Sequence, residues 1–263
     1  MIDPTSRQQF GLRGAHGVGV VRVSMFPAED VQHAVDREHG GFYGAVTNDL
    51  QLYNHVPRSA ILCGRILWTY AQAYRRFGDG SYLEMARWAY DALTEVFWDQ
   101  EYGGVYWTVD VQGRPVMDRK HHYAQAFAIY GLCAYYEATG KTESLALARQ
   151  LYTLLEKHAY DPVHRGYIEG SSRSWAALDD MRLSDRDLDC QKSMNTMLHI
   201  LEAYTQLARL WAPARAAQRA LIETFPMLSR LKMLRWWGGI VDMTGDRSPV
   251  ISKTPVEGVF INC

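Results

Sequence analysis

The first candidates for chemistry are three polar residues at helical spacing, Asn195, His199 and Glu202. Asn195 and His199 are four positions apart, so both project from one face of a helix, with Glu202 on the next turn. If that face lines a cavity, an amide and an imidazole enter it together. Histidine is suited to proton transfer near neutral pH, because its unperturbed pKa is about 6.5. The alternative interpretation is a hydrogen-bonded histidine in a helix-packed core.

Arg65 is the next candidate, because it interrupts the apolar run Ile61–Trp68. A guanidinium that is buried without a partner is strongly unfavourable, so this side chain must face a cavity or form an ion pair. In a cavity it would stabilise an oxyanion that develops on a substrate carbonyl. In an ion pair with a neighbouring carboxylate its role would be structural.

Tyr123 begins another predicted helix, directly after His121 and His122. Its phenol either hydrogen-bonds a sugar hydroxyl or packs in the core. The two histidines predict no metal site, because adjacent helical residues diverge by about 100° and no HxxxH or HExxH spacing accompanies them.

The loop 178–189, which includes Asp187, is dense in carboxylates. A pair of acids suggests a glycoside hydrolase, because inverting enzymes on α/α toroids need one acid and one base. Alternating Asp and Arg is also typical of a self-paired, solvated surface loop.

These candidates lie within a sequence repeat. The segments Asp36–Tyr43, Asp99–Tyr106 and Asp161–Ile168 align, and their leading aspartates are 63 and 62 residues apart. A fixed period of this size indicates stacked supersecondary units. Between the segments, apolar residues recur at three- and four-residue spacing, which predicts helices at about 57–77, 81–98, 121–139, 142–158 and 193–211. We therefore expect an all-α fold, an open arc of an α/α toroid with about three helical hairpins and short β excursions, whose open flanks stay uncovered.

The ends of the chain differ from this repetitive body. Residues 1–32 show no helical period and predict an irregular N-terminal segment. The sequence repeat stops after about Arg219. The pattern of residues 235–249 predicts a strand, a turn and a second strand. The predicted organisation is thus an irregular segment at 1–32, a helical unit at 33–218 and a small irregular or β tail at 219–263.

Composition restricts the function classes. The 263 residues carry a net charge of −1, which offers no basic excess for nucleic acid or an anionic membrane. Aromatic residues reach 12%, which suits a helical core and also a sugar-binding cleft. No signal peptide or membrane span is predicted. The four cysteines show no pairing pattern, so we expect a reduced, cytoplasmic protein.

Several motifs resemble the N-acylglucosamine 2-epimerase superfamily, and within it the cellobiose 2-epimerases. They are DREHGGFYGAVTNDL, ILCGRILWTYAQAYR, FWDQEYGGVYWTVD, HHYAQAFAIYGL, LDDMRLS and KSMNTMLHILEAY, in that order between about His33 and Trp211. The resemblance implies an (α/α)6 barrel and a cofactor-free epimerisation at C2 of the reducing-end sugar of a β-1,4-linked disaccharide, or of an N-acylglucosamine, through a cis-enediolate.

The same resemblance implies roles for individual residues. Arg65 corresponds to the arginine that steadies the enediolate oxygens, and His199 to the histidine of the MNTxLH helix. Tyr123, Asn195 and Asp187 correspond to substrate-contacting residues. Cys63 and Met197 depart from the family pattern, which has Asn and His there. The family's two general acid–base histidines belong to a second half of the barrel that no segment resembles, so the chain is expected to be inactive as written.

The tail, LSRLKMLRWWGGIVDMTGDRSPVISKTPVEGVFINC, resembles the closing part of the beta subunit of heterotetrameric sarcosine oxidases. The dinucleotide-binding part of that family has no counterpart here, so we expect a chimeric chain whose tail does not bind FAD by itself. The expected partner is a small sugar or disaccharide, with self-association through the exposed barrel edge. Alternatives are a non-catalytic carbohydrate-binding remnant, an α/α-toroid glycoside hydrolase and, from the tail alone, an amine oxidase fragment.

Overall fold

The computed structural model describes residues 34–45, 51–53, 55–182 and 189–224, together with the backbone of two short strands at 251–253 and 260–262. Within these residues the chain forms six α-helices, which are α1 (Ala60–Phe77), α2 (Gly80–Asp91), α3 (His122–Thr139), α4 (Thr142–His158), α5 (Met194–Leu210) and α6 (Ala214–Thr224). None of the described helices is long and apolar enough to cross a bilayer.

The sequence predicted five of these helices and missed α6. Its buried residues are mainly small, Ala214 and Ala217 with Leu221, so few large apolar side chains mark its buried face in the sequence. The second predicted helix is also shorter than expected, because α2 ends at Asp91 and Ala92–Val96 continues as a π-helical turn. The first begins at Ala60 rather than near residue 57, since the chain there forms a strand.

Local signals explain where the helices begin and end. Ser59 caps α1 by accepting a hydrogen bond from the Ile61 amide. At the other end, Gly78 ends α1 and Gly140 ends α3, both in the left-handed conformation, with φ of 74° and 72°. Glycine adopts this conformation without strain, which is why it recurs at the same place in two repeats.

The helices form two layers of an arc. Helices α1, α3 and α5 contact one another in that order, and α2, α4 and α6 each pack on the helix before them. Helix α3 lies between two neighbours of the inner layer, and 13 of its 18 residues are buried. This is the partial (α/α)6 toroid of three helical hairpins that the sequence predicted.

Helices α1 and α3 approach closely where two glycines face each other. A Cβ atom on Gly64 would lie 2.8 Å from the carbonyl oxygen of Phe127, and one on Gly131 would lie 2.7 Å from the carbonyl oxygen of Gly64. Both distances are shorter than a real Cβ contact. The absence of a side chain at these positions therefore lets the residue after Gly64, Arg65, lie beside Phe127.

The repeated segments are loops with the same structure. Each leading aspartate accepts hydrogen bonds from the two backbone amides at positions two and three further on, as Asp99 does from Glu101 and Tyr102. Each loop is closed by an isolated β-bridge, formed by Val35–Phe42, Trp98–Val105 and Tyr160–Tyr167. A basic side chain then pairs with each aspartate, in the pairs Asp36–Arg58, Asp99–Lys120 and Asp161–Lys192.

Short strands connect the hairpins at the ends of the inner helices. Strands β1 (Arg58–Ser59), β2 (Thr108–Val109) and β3 (Pro115–Met117) form one antiparallel sheet. Strand β4 (Lys120–His121) leads into α3 and pairs with β5 (Gly170–Ser171).

In the tail, β6 (Ile251–Lys253) pairs with β7 (Phe260–Asn262). The predicted strand–turn–strand at 235–249 and the predicted irregular segment at 1–32 lie outside the described residues.

Candidate functional site

The first two turns of the inner helices bring the predicted residues together around the ring of Phe127. The Arg65 guanidinium carbon lies 5.3 Å from the centre of that ring, and the His199 ring centre lies 4.6 Å from it. The Tyr123 ring lies 5.1 Å from Phe127 and 4.8 Å from His199, edge-on to both. Side chains from α1, α3 and α5 thus share one concave face.

Arg65 faces solvent on this face. Its side chain is exposed, and in the part of the chain that the structure describes it makes no ion pair. Of the two interpretations of Arg65, the structure favours the one in which the guanidinium faces a cavity. Its charge remains available to an anionic group of a ligand.

His199 is not a core histidine. Its Nδ1 lies 2.8 Å from Oε2 of Glu202, and the two side chains are 18% and 21% exposed. Both residues lie on one face of α5, as the helical spacing predicted, and the His199 ring contacts Phe127 of α3. The imidazole therefore combines a fixed orientation with access to solvent.

The Tyr123 phenol on α3 is influenced by Asn195 on α5 and by Arg65 on α1. Burial raises the pKa of the Tyr123 phenol, against the opposing effects of the Arg65 charge and a hydrogen bond from the Asn195 amide. The phenol therefore stays protonated at neutral pH and can donate a hydrogen bond to a sugar hydroxyl.

The remaining aromatic residues of this face were missed by the sequence analysis. Phe127 is at its centre, Trp68 stacks on Tyr130 at 4.9 Å, and Trp107 lies 6.4 Å from Tyr123. Phe127 and Tyr130 follow Tyr123 at helical spacing, which is the signal that could have identified them. Such rings provide apolar surfaces on which the C–H faces of a sugar can lie.

One buried carboxylate fixes the start of α5 against α3. Glu169 accepts a hydrogen bond from the Ser193 amide at 2.5 Å and another from the Thr196 hydroxyl at 2.7 Å. Its own carbonyl oxygen accepts from the amide of His122, the first residue of α3. A negative charge at a helix N-terminus is favourable, so Glu169 holds the helices that carry Tyr123 and Asn195 in register.

His121 and His122 lie in the core, away from solvent. Nδ1 of His122 lies 2.5 Å from the Ile168 carbonyl oxygen, and Nε2 lies 3.1 Å from the Ser171 hydroxyl. Burial lowers the pKa of His122 to about 4 and that of His121 to about 3. The described ranges contain no group of three or more His, Cys, Asp or Glu side chains that could hold a metal ion.

The carboxylate-rich loop is only partly described. Asp187 lies outside the described residues. Asp180 is paired with Arg182 of the same loop, with Nη2 at 2.6 Å from Oδ2. This pairing favours the interpretation of a solvated, self-paired segment over that of a glycosidase acid.

Comparison with known proteins identifies the family of the helical part. The profile of the N-acylglucosamine 2-epimerase (GlcNAc 2-epimerase) family matches residues 41–222. Cellobiose 2-epimerase of Bacteroides fragilis is 46% identical over 185 residues, which are 70% of this chain and 47% of that protein. The structure of cellobiose 2-epimerase from Bacillus thermoamylovorans superposes with a TM-score of 0.70 at 39% identity, covering 74% of this chain and 50% of that one.

The C-terminal part has a different relative. Sarcosine oxidase subunit beta of Rhodobacter capsulatus is 72% identical over 53 residues, 20% of this chain and 13% of that protein. The chain spans about half the length of the epimerases it matches. Over its helical part, this chain belongs to the N-acylglucosamine 2-epimerase family.

Proposed function

We propose that the concave face binds the reducing-end glucose of a β-1,4-linked disaccharide such as cellobiose and serves its epimerisation at C2 to the mannose epimer. The observation that carries this proposal is the grouping of Arg65, Tyr123 and His199 around one phenyl ring. An N-acylglucosamine is the alternative substrate. We propose the same roles for these residues as the family resemblance implies, with Asp187 as a further substrate contact.

The chemistry follows from the groups present. After the sugar ring opens, the C1 carbonyl makes the proton on C2 weakly acidic, and its removal leaves an enediolate with negative charge on oxygen. Arg65 stabilises that charge electrostatically, while the Tyr123 phenol and the Asn195 amide hold sugar hydroxyls. His199 takes a proton or returns one. No redox step occurs, so the reaction needs no cofactor.

On this face we assign one acid–base group, His199. Epimerisation removes a proton from one face of C2 and returns a proton to the other, which requires two acid–base groups. Losing one of them costs about 10²–10⁴-fold in rate. We therefore expect the chain alone to bind sugar without measurable turnover of cellobiose, which corresponds to the alternative of a carbohydrate-binding protein.

Sugar binding and turnover are tested separately. Calorimetric titration with cellobiose should show weak binding that Arg65→Ala and His199→Ala reduce. The exposed Arg76 on the last turn of α1 and the exposed His164 in an outer loop provide matched controls, and their alanine variants should bind like the parent. Binding that is absent in the parent, or unchanged in both site variants, would contradict the proposal. Turnover that disappears in His199→Ala would instead show that a second acid–base group completes the site.

We also propose self-association through the edge of the arc, with 33–218 and 219–263 as separate units in a cytoplasmic protein. On α5, the apolar side chains Met194 and Leu198 are 60% and 39% exposed at the edge of the inner layer. Static light scattering that gives a monomer mass at all concentrations would contradict the self-association.

A protein that purifies without the yellow colour of a flavin would exclude the amine oxidase interpretation of the tail.

A further inference from the structure

We propose that Glu202 is a positioning residue that fixes the tautomer of His199, with the proton on Nδ1 and the lone pair on Nε2. The inference rests on the proposed function for its catalytic meaning, but its structural content can be tested without any substrate. It starts from the 2.8 Å contact between Nδ1 of His199 and Oε2 of Glu202.

The chemistry of the two groups determines the direction of this hydrogen bond. An ionised carboxylate only accepts hydrogen bonds, so Nδ1 must be the donor. In the neutral imidazole the other nitrogen, Nε2, then has no proton. The nitrogen that can take a proton from a ligand is thereby set by Glu202.

The surroundings of Glu202 favour this role over a general structural one. Glu202 forms both a hydrogen bond and an ion pair with His199. Burial raises the pKa of the Tyr123 and Tyr130 phenols, and the charge of Glu202 adds to this effect while that of Arg65 opposes it. The charges of Glu202 on α5 and Arg65 on α1 thus act on the same two phenols.

The pair also has an electrostatic consequence for the reaction. When His199 takes a proton, Glu202 is already beside the new positive charge, at a distance that needs no movement of either side chain. Conversely, a neutral amide at position 202 keeps the shape but loses the charge and can present its NH₂ group to Nδ1, which favours the opposite tautomer. Removal of the outer partner that orients a metal-bound histidine costs about 10–100-fold in activity, and we expect a loss of similar size for this pair.

The test is nitrogen NMR of histidine-labelled full-length protein at pH 8, with the His199 signals assigned by their loss in His199→Ala. The parent should show the tautomer protonated at Nδ1. In Glu202→Gln and Glu202→Ala the ring should shift toward the form protonated at Nε2, whereas Glu84→Ala, an exposed glutamate on α2, should leave it unchanged. Thermal unfolding shows whether each variant is folded. If Glu202→Ala does not fold, the isosteric Glu202→Gln alone tests the inference.

A parent ring protonated at Nε2, or a tautomer that is unchanged in both Glu202 variants, would overturn the inference. Any preparation that epimerises cellobiose adds a second readout, in which Glu202→Gln should lower kcat about 10–100-fold with little change in KM. An equal loss through KM alone would contradict a positioning role. If the tautomer responds as expected but no sugar is bound or converted, the proposed function fails and the positioning of His199 stands.

Discussion

The second and third repeats carry the same loop in different surroundings. Asp99 is fully buried and pairs with the fully buried Lys120 at 2.8 Å and with Arg173 at 3.0 Å. Asp161, at the equivalent position of the third repeat, is partly exposed and pairs with the partly exposed Lys192. The turn itself is identical, because it depends only on local hydrogen bonds. The two repeats differ in whether the ion pair of this turn is enclosed.

The helices that follow the loops show the same difference. Helix α3 is packed between α1 and α5, whereas α5 exposes Met194 and Leu198 at the edge of the inner layer. The middle hairpin therefore carries most of the packing, and the face it shares with its neighbours carries the polar site. Stability and chemistry should respond differently to changes in the two regions.

The largest difference is expected between Asp99→Asn and Asp161→Asn. Removing the carboxylate at 99 leaves the buried Lys120 ammonium without its counter-charge, which should cost about 3–5 kcal/mol in the free energy of unfolding. The same change at 161 affects a solvated pair and should cost much less. Urea unfolding of the two variants measures both values. Equal losses of unfolding free energy in the two variants would show that the Asp99 ion pair is no more enclosed than the Asp161 ion pair.

A strong dependence on pH is expected from His121 and His122 of the middle hairpin. Their pKa values in the folded protein, about 3 and about 4, lie below the value of about 6.5 for an unfolded chain. Protonation therefore favours the unfolded state, and stability that is complete above pH 6.5 is lost as the pH falls below it.

Between pH 7 and pH 5 this loss should be about 2 kcal/mol for each histidine. The pKa values of Asp36, Asp99 and Asp161 are lowered, so their contributions are lost only below about pH 4. Urea unfolding at several pH values measures the slope, and His121→Gln should make it shallower while His164→Gln, in the third repeat, should not. A slope that both variants leave unchanged would refute this assignment.

A moderate effect is expected from Gly131→Ala at the contact of α1 and α3. The new methyl group would overlap the Gly64 carbonyl oxygen, forcing the two helices apart at a cost of about 1–3 kcal/mol. Gly80→Ala, at the first turn of α2 with open space around it, should be neutral or slightly stabilising. Thermal unfolding compares the two variants, and the Arg65–Phe127 distance in a structure of Gly131→Ala should increase. Equal stability of both would mean that the helix contact tolerates a side chain.

The smallest effect is expected from Leu198→Gln at the edge of the arc. The side chain is already 39% exposed, so the free energy of unfolding should change by at most about 0.5 kcal/mol. Self-association, measured by light scattering, should weaken. A loss of several kcal/mol would indicate that Leu198 is covered within one chain rather than by another.

The sequence alone determined the repeat, five of the six described helices and the polar residues on the inner helices. Its success has a local cause. Helical periodicity, the cap residues Ser59, Gly78 and Gly140, and the aspartate turns all depend on residues within a few positions of one another. The motifs of the family could be identified for the same reason, because each is a short continuous segment of the chain.

Only the tertiary structure decided which distant groups meet. Arg173 pairs with Asp99 from 74 positions away, and Glu169 joins the beginnings of α3 and α5. Phe127 became the centre of the site because Gly64 and Gly131 let two helices approach, which no periodicity reports. Burial and ion pairing depend on how one hairpin lies on the next, and that arrangement is fixed by packing across the repeats rather than by any segment of the chain.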